Sequence, residues 1–398
     1  MKKFINVICT FAITFFSYNT YSQGTHIVLT SRSFHPSNSS DTLSTLKVID
    51  QLKPSRLDWI YTESANTLKL FKDRNLPFSL AIHPEVGDSA GYTTKKFRIV
   101  DINGRPYEAP WMIGSKVYWG CVNNPGFQDF FLKKTFHYSD LGAYAIFVDD
   151  GAFNVQLQND RPNKYGCFCD YCLQGFVDYL AHSNTPFAGQ FDENSLKQKF
   201  IKVLNDDKSN RTNQSDKNLL VLYQQYQRAS VVKFLQNWKS RLQAYRPGIK
   251  TLTNNYNGQW NDVYSVFDGG ICELSKNNLN VPYLDSVYKV ADRLGKTQVF
   301  SLVSDDQKSH DFLMAYCYLR GRDYLIPWDL YVPTKTNPQN RFYTDPNKFN
   351  KLSNAIKNKE ILVKIKKDGN ISNDNPWYNL NSKGGLQYLE LNNHPPKN

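Results

Sequence analysis

Short apolar runs alternate with helix-like patterns along most of this chain. His26–Arg32 (HIVLTSR) predicts a first strand, and Arg56–Thr62 and Pro77–His83 predict the next two. Ala143–Asp150 (AYAIFVDD) predicts a strong fourth, followed by Lys250–Asn255 and Phe267–Leu274. Thr297–Asp305 and Tyr324–Tyr331 complete eight. Cys169–His182 and Asn218–Tyr245 carry helical periodicity between them. Strands alternating with helices pair in parallel, and eight such units predict an α/β protein built as a (β/α)8 TIM barrel. A doubly wound open sheet is the competing architecture, but no Gly-rich phosphate loop follows the first strand.

Residues 184–217 break the rhythm. The stretch is polar, with NDDKSNRTNQSDK near its end, and reads as an insertion or excursion after strand four. From about residue 346 a C-terminal extension is expected. It comprises a short helix over Asn347–Asn358 and a strand pair near Ile361–Ile365 and Leu386–Leu391.

The N-terminus has a different logic. Met1-Lys2-Lys3 is basic, Phe4–Phe16 is mostly apolar, and Thr20-Tyr21-Ser22 places small residues at −3 and −1. This is the layout of a secretory signal peptide over residues 1–22, with cleavage near Ser22 and export to the periplasm or beyond. The run is too short for a membrane span, and no later segment reaches the required length. The barrel would then occupy residues 23–345.

Composition narrows the partners. The 398 residues are 40% apolar and 21% charged, which excludes a disordered chain. Aromatics reach 14%, and both carbohydrate and nucleic-acid sites use aromatic faces. Export moves nucleic acid out of contention. The net charge of +12 then suggests either an acidic or sulfated glycan or simply a solvated basic surface. The oligomeric state is not readable.

Seven cysteines are too few for a disulfide scaffold. Four of them suggest a cluster: Cys121, and the C-x-C-x-x-C run Cys167, Cys169 and Cys172. Four thiolates suit tetrahedral Zn2+, in a structural role because no position stays open for water. Two disulfides or free buried thiols are the alternatives. Cys272 and Cys317 sit in apolar contexts and read as core.

The spacing of Cys121 from Cys167-x-Cys169-x-x-Cys172 resembles the zinc cluster of family 42 glycoside hydrolases, the β-galactosidase group. The flanking residues Cys121-Val-Asn-Asn-Pro-Gly-Phe127 and Cys167–Leu180 are similar to both halves of that motif. The resemblance implies a retaining barrel hydrolase with its acid/base on an Asn-Glu pair ending strand four. Asp149 stands at the Asn position and Asp150 at the Glu position. The family's nucleophile is a Glu on strand seven, whereas that strand here runs Phe300-Ser-Leu-Val-Ser-Asp-Asp306. The chain therefore reads as a divergent relative.

Barrel enzymes carry their chemistry at the C-terminal ends of the strands. Those ends offer Arg32, His83, Glu85, Asp149, Asp150, Asn254, Asn255, Glu273, Asp305, Asp306, Trp328 and Asp329, with Tyr256 and Trp260 just beyond strand five. Glycoside cleavage needs two carboxyl groups. Asp150 is the expected acid/base, because it follows an apolar strand and stands beside Asp149. Glu273 is the expected nucleophile and Asp305 its rival, on the premise that strand four faces strand six or seven across the mouth. Arg32, His83, Asp149, Asn254, Asn255 and Asp329 are candidate hydroxyl or sulfate ligands. Tyr256, Trp260, Trp328 and Trp119 are candidate sugar platforms. The expected function is hydrolysis of a β-linked galactoside-type glycan, acidic or sulfated ones included. The alternative is a glycan-binding barrel that has lost its strand-seven nucleophile.

Overall fold

The computed structural model describes residues 27–30, 46, 48–50, 52–85, 97–109, 114, 116–155, 165–303, 307–327, 378–383 and 386–391. Eight strands are β1 (Ile27–Thr30), β2 (Arg56–Ile60), β3 (Phe78–Ile82), β4 (Ala145–Val148), β5 (Lys250–Asn254), β6 (Gly269–Ser275), β7 (Thr297–Val303) and β8 (Tyr324–Ile326). They pair in parallel in chain order, and β8 returns to β1, so the sheet closes into a (β/α)8 barrel. All eight expected strands are present. The described part of β8 ends at Ile326, and Tyr331 lies outside the described residues.

Closure sorts the strand residues into two layers. Val28, Trp59, Ala81, Ala145, Phe147, Leu252, Ile271, Val299 and Leu325 fill the barrel interior. The intervening residues, among them Leu29, Ile60, Leu80, Ile82, Ile146 and Val148, pack outward in the larger core. Both faces of a parallel sheet are buried, which is why these strands read as continuous apolar runs rather than alternations. Inside, the Trp59 and Phe147 rings lie 4.7 Å apart between the small Ala81 and Ala145. At the opposite end, buried Asp58 accepts from Arg56 at 2.8 Å and from the Tyr144 hydroxyl at 2.6 Å, tying down the barrel floor.

The helices begin at caps written into the sequence. Helix α1 (Ala65–Lys72) starts at Ser64, whose hydroxyl accepts from the Thr67 amide. Helix α2 (Pro125–Asp140) starts at Asn124 with Pro125 in the first turn, where no amide hydrogen is needed. After β4 come α3 (Asp170–Ala181), α4 (Glu193–Lys208) and α5 (Gln214–Tyr245). Asp192 and Ser195 cap α4 reciprocally, and Asn213 caps α5. Helices α6 (Val281–Arg293) and α7 (Gln307–Leu319) follow β6 and β7.

The expected polar excursion therefore contains a helix. Its charged run covers the last turn of α4, the connection 209–213 and the first turn of α5. Leu196, Phe200 and Val203 of α4 join Phe176, Leu219, Leu220 and Tyr223 in a second core. The 32-residue α5 serves both cores, because Val231, Phe234, Leu235, Trp238 and Leu242 further along it pack on the barrel.

Near the C-terminus, β9 (Tyr378–Lys383) pairs antiparallel with β10 (Leu386–Leu391). The expected strand at Leu386–Leu391 is correct, but its partner is 378–383. The segments 347–358 and 361–365 lie outside the described residues, as does the expected leader over residues 1–22. Among the described residues, no helix is long and apolar enough to cross a membrane.

Candidate active site at the barrel mouth

Alternation along each strand determines which side chains reach the mouth. Continuing the interior rows past Ala81, Phe147, Leu252 and Ile271 leads to His83, Asp149, Asn254 and Glu273. Strand β2 reaches the mouth differently. Its register with β3 shifts between Leu57 and Ile60, and Trp59 adopts φ +63°. A bulky residue in the left-handed region stores roughly 1–3 kcal/mol of strain. The bulge keeps the Trp59 indole inside and brings Tyr61 up beside it.

These residues converge on one carboxylate. Asp149 Oδ2 accepts from the Tyr61 hydroxyl at 2.5 Å and from the Trp59 indole at 3.2 Å. Its Oδ1 accepts from the Asp150 amide at 3.1 Å. The next residue, Asp150, turns into the left-handed region at φ +54°, so both carboxyl groups stay near the mouth. His83 Nε2 lies 3.2 Å from Asp150 Oδ2 and 3.6 Å from Asp149 Oδ2. Burial first, then the Asp149 charge, holds the Tyr61 phenol well above its ordinary value, so it keeps its proton. Tyr264 is pushed up to about 12, again by burial and then by the charges of Asp150 and Asp149.

A second pair forms next door. Asn254 Nδ2 donates to Glu273 Oε2 at 3.0 Å. Strands β4 and β6 are separated only by β5, so Asp150 and Glu273 belong to strands on one side of the mouth. The expectation that strand four faces strand six or seven across the mouth is thus corrected, because in the closed order β8 lies opposite β4.

The remaining candidates divide. Asn255 is fully buried and exchanges hydrogen bonds with Gln298, which also accepts from the Trp260 indole at 2.9 Å. Asn255 follows inward Asn254 and so points away from the barrel interior. The Trp260 ring packs on the outer core. Tyr256 is 49% exposed. Trp119 is buried in the pocket of the cysteines, which removes it as a platform. Glu85 is exposed and bridges Trp119 through the backbone. Arg32, Asp305, Asp306, Trp328 and Asp329 lie outside the described residues. Tyr61 and Trp59 had no place in the sequence reading. Their position at the end of the second strand was the available signal.

The four cysteines do converge. Cys121, Cys167, Cys169 and Cys172 place their sulfurs within 4.8 Å of one another, a set that could bind a metal ion. Cys121 Sγ lies 3.3 Å from Cys172 Sγ and 3.8 Å from Cys169 Sγ. Disulfide bonds are near 2.05 Å. A tetrahedron with 2.3 Å metal–sulfur bonds has sulfur–sulfur edges of about 3.8 Å. Side-chain amides surround the cluster, Asn123 donating to Cys172 and Asn154 to Cys121. Burial pushes the Cys121 thiol up, but donors from Cys167, Cys169, Cys172 and Asn154 outweigh it and hold Cys121 well below its usual value. Cys272 and Cys317 are buried in the core as expected.

His83, Asp149 and Asp150 also lie within metal-binding reach of one another. Asp149 Oδ2 is already engaged by two donors, and the buried His83 Nδ1 has no hydrogen-bond partner. A metal-ligating imidazole normally donates from its other nitrogen to a neighbour. This group fits a hydrogen-bonded triad better than a ligand set.

No protein-family model matches the chain, and no curated protein matches it. Solved structures do resemble it. A β-galactosidase from Rahnella sp. R3 superposes with TM-score 0.55 at 10% identity, over 85% of this chain and 56% of that one. A β-galactosidase from psychrophilic Marinomonas ef1 gives 0.53 at 8% identity, over 87% and 60%. An α-L-fucosidase isoenzyme 2 from Paenibacillus thiaminolyticus gives 0.53 at 11% identity, over 84% and 49%. The chain thus spans about half to three fifths of the length of these neighbours. The shared feature is the barrel that these glycoside hydrolases use.

Proposed function

We propose that this chain is an exported glycoside hydrolase that cleaves β-linked galactoside-type glycans, acidic or sulfated ones included, with retention at the anomeric carbon. The observation that carries the reading is the presence of two separately held carboxyl sites at the ends of β4 and β6. Asp149–Asp150 is gripped by Tyr61 and His83, and Glu273 is gripped by Asn254. Asp150 protonates the leaving oxygen, and Glu273 attacks the anomeric carbon, with Asp305 as the rival nucleophile. The β-galactosidase and fucosidase neighbours support sugar chemistry on this barrel. The four cysteines hold a structural Zn2+ that supplies rigidity and no chemistry at the mouth.

The test is turnover of a panel of aryl glycosides and of neutral and sulfated galactans. Asp150→Asn and Glu273→Gln should each abolish reducing-sugar release while glycan retention persists. If Asp305→Asn is inactive and Glu273→Gln is active, the nucleophile moves to Asp305. Proton NMR of the first-formed anomer decides retention.

A second reading has its own support. The sequence Thr297–Asp306 carries no Glu where the resembling family has its nucleophile. A glycan-binding barrel without turnover would show retention on the panel and no sugar release by the wild type.

A further inference from the structure

We infer that the side-chain carbonyl of Asn254 is a built acceptor for one substrate hydroxyl, the one on the carbon next to the anomeric centre of the sugar held at Glu273. That sugar therefore carries a free hydroxyl there, and a sulfate ester or other acceptor-only group at that carbon is excluded. The inference deepens the glycosidase reading and rests on it for the identity of the ligand.

The residues on either side of Asn254 are anchored, so its side chain is aimed rather than loose. Thr253 Oγ1 donates to the Val148 carbonyl of β4 at 2.9 Å. Asn255 is fully buried, exchanges hydrogen bonds with Gln298, and packs so closely on Gly270 that a Cβ there would lie 2.3–2.6 Å from it. Between them, Asn254 continues the interior row of β5 beyond Leu252. Glu273 continues the interior row of β6 beyond Ile271. Ser301 stands level with Glu273 on β7 and is buried.

The orientation of the amide follows from its partner. A carboxylate oxygen accepts, so the atom facing Glu273 Oε2 at 3.0 Å must be the amide nitrogen. The carbonyl oxygen is then turned away from that bond. It is buried, on a residue 9% exposed, and has no hydrogen-bond partner among the described residues. A buried polar atom is costly to leave unmatched, and at a site the ligand is the natural source of the missing hydrogen. Oδ1 has lone pairs and no hydrogen, so it selects a donor and rejects an acceptor. A carboxylate that attacks the anomeric carbon has the ring oxygen on one flank of that carbon and C2 on the other. The ring oxygen carries no hydrogen, whereas the C2 hydroxyl does. Replacing that hydrogen by methyl or sulfate removes the match.

Two measurements on the full chain test this. The first is calorimetric titration of the Asp150→Asn chain with methyl β-D-galactoside and its 2-deoxy, 2-O-methyl and 2-O-sulfo derivatives. The parent should bind, and each derivative should bind roughly 10-fold to 100-fold more weakly. When Asn254→Ala is added, the parent and the 2-deoxy derivative should bind within about threefold of each other, because the acceptor that tells them apart is gone. A merely structural role for Asn254 would weaken both alike and leave their ratio unchanged. The second is kcat/KM of the wild type on 4-nitrophenyl β-D-galactoside and its 2-deoxy counterpart, which should differ in the same direction. A 2-deoxy or 2-O-sulfo derivative that binds as tightly as the parent overturns the inference, and so does a preference that survives Asn254→Ala. A wild type that shows the binding order and releases no 4-nitrophenol sinks the glycosidase reading alone. One that cleaves the galactoside with no preference for the 2-hydroxyl sinks the inference alone. A chain that binds none of the four sugars sinks both.

Discussion

Asn254, the last residue of β5, donates its amide hydrogen to Oε2 of Glu273 on the neighbouring β6 across 3.0 Å. The bond fixes the rotamer of the only carboxylate that a late strand brings to the mouth among the described residues. Asn254→Ala should cut kcat on a glycoside roughly 10-fold to 100-fold, since hydrogen bonds to charged groups are worth about 1.5–3 kcal/mol. KM should change far less. Steady-state kinetics would refute this if kcat stayed within about twofold of wild type.

The cysteine cluster makes a prediction that needs no substrate. Purified protein should carry about one zinc per chain by elemental analysis, and Cys121→Ser or Cys172→Ser should lose it. A strong chelator should lower Tm, because metal binding and folding are linked. Mass mapping that finds these cysteines in disulfides, or a chain without metal, would remove the zinc assignment.

Gly270 on β6 tests the packing behind the site. A Cβ there would meet the Asn255 side chain at 2.3–2.6 Å. Asn255 cannot retreat without breaking its exchange with Gln298, which also holds Trp260. Gly270→Ala should destabilise the protein by about 1–3 kcal/mol in a urea titration. A neutral result would mean the buried amide pair is dispensable.

Acid stability has a named contributor in Asp268. Burial alone would raise its value, but Lys239, 2.6 Å away, and the Thr251 amide and hydroxyl hold it below the ordinary carboxylate value. A carboxylate depressed in the folded state adds stability that is present above its unfolded value, near 3.9, and is lost as pH falls through the folded one. Asp268→Asn should therefore be less stable at neutral pH and show a shallower stability loss below about pH 4. Equal acid slopes for mutant and wild type would discount the pair.

The barrel was legible because a parallel sheet covered on both faces must be written as apolar runs. AIFV followed by Asp149 and Asp150 is such a run meeting two charges, so the β4 end stood out. The cysteine cluster was legible from spacing alone. Side-chain direction was less so. Parity would have sent Asn255 outward once Asn254 was placed inward, but it needed the register that the closed sheet provides. Trp119 shows that an aromatic in a loop does not announce which side it faces. Tyr61 was hidden for a different reason. Its reach to Asp149 depends on the bulge at Trp59, and a left-handed tryptophan has no signature in sequence.

The bond between Asn154 and Cys121 connects two sites that sequence reading treats separately. Asn154 stands four residues beyond Asp150, accepts from the Val122 amide, and donates to Cys121 at 3.4 Å and to Gln227 at 2.8 Å. Gln227 in turn donates to the Cys167 carbonyl and sits midway along α5. The loop leaving β4 is thus moored at its far end to the sulfur cluster, much as a diving board is clamped behind its free tip. Loosening the clamp would blur the aim of Asp150 although the four cysteines pack in a cluster of their own, so a substitution at Asn154 would cost catalytic accuracy before it cost the fold.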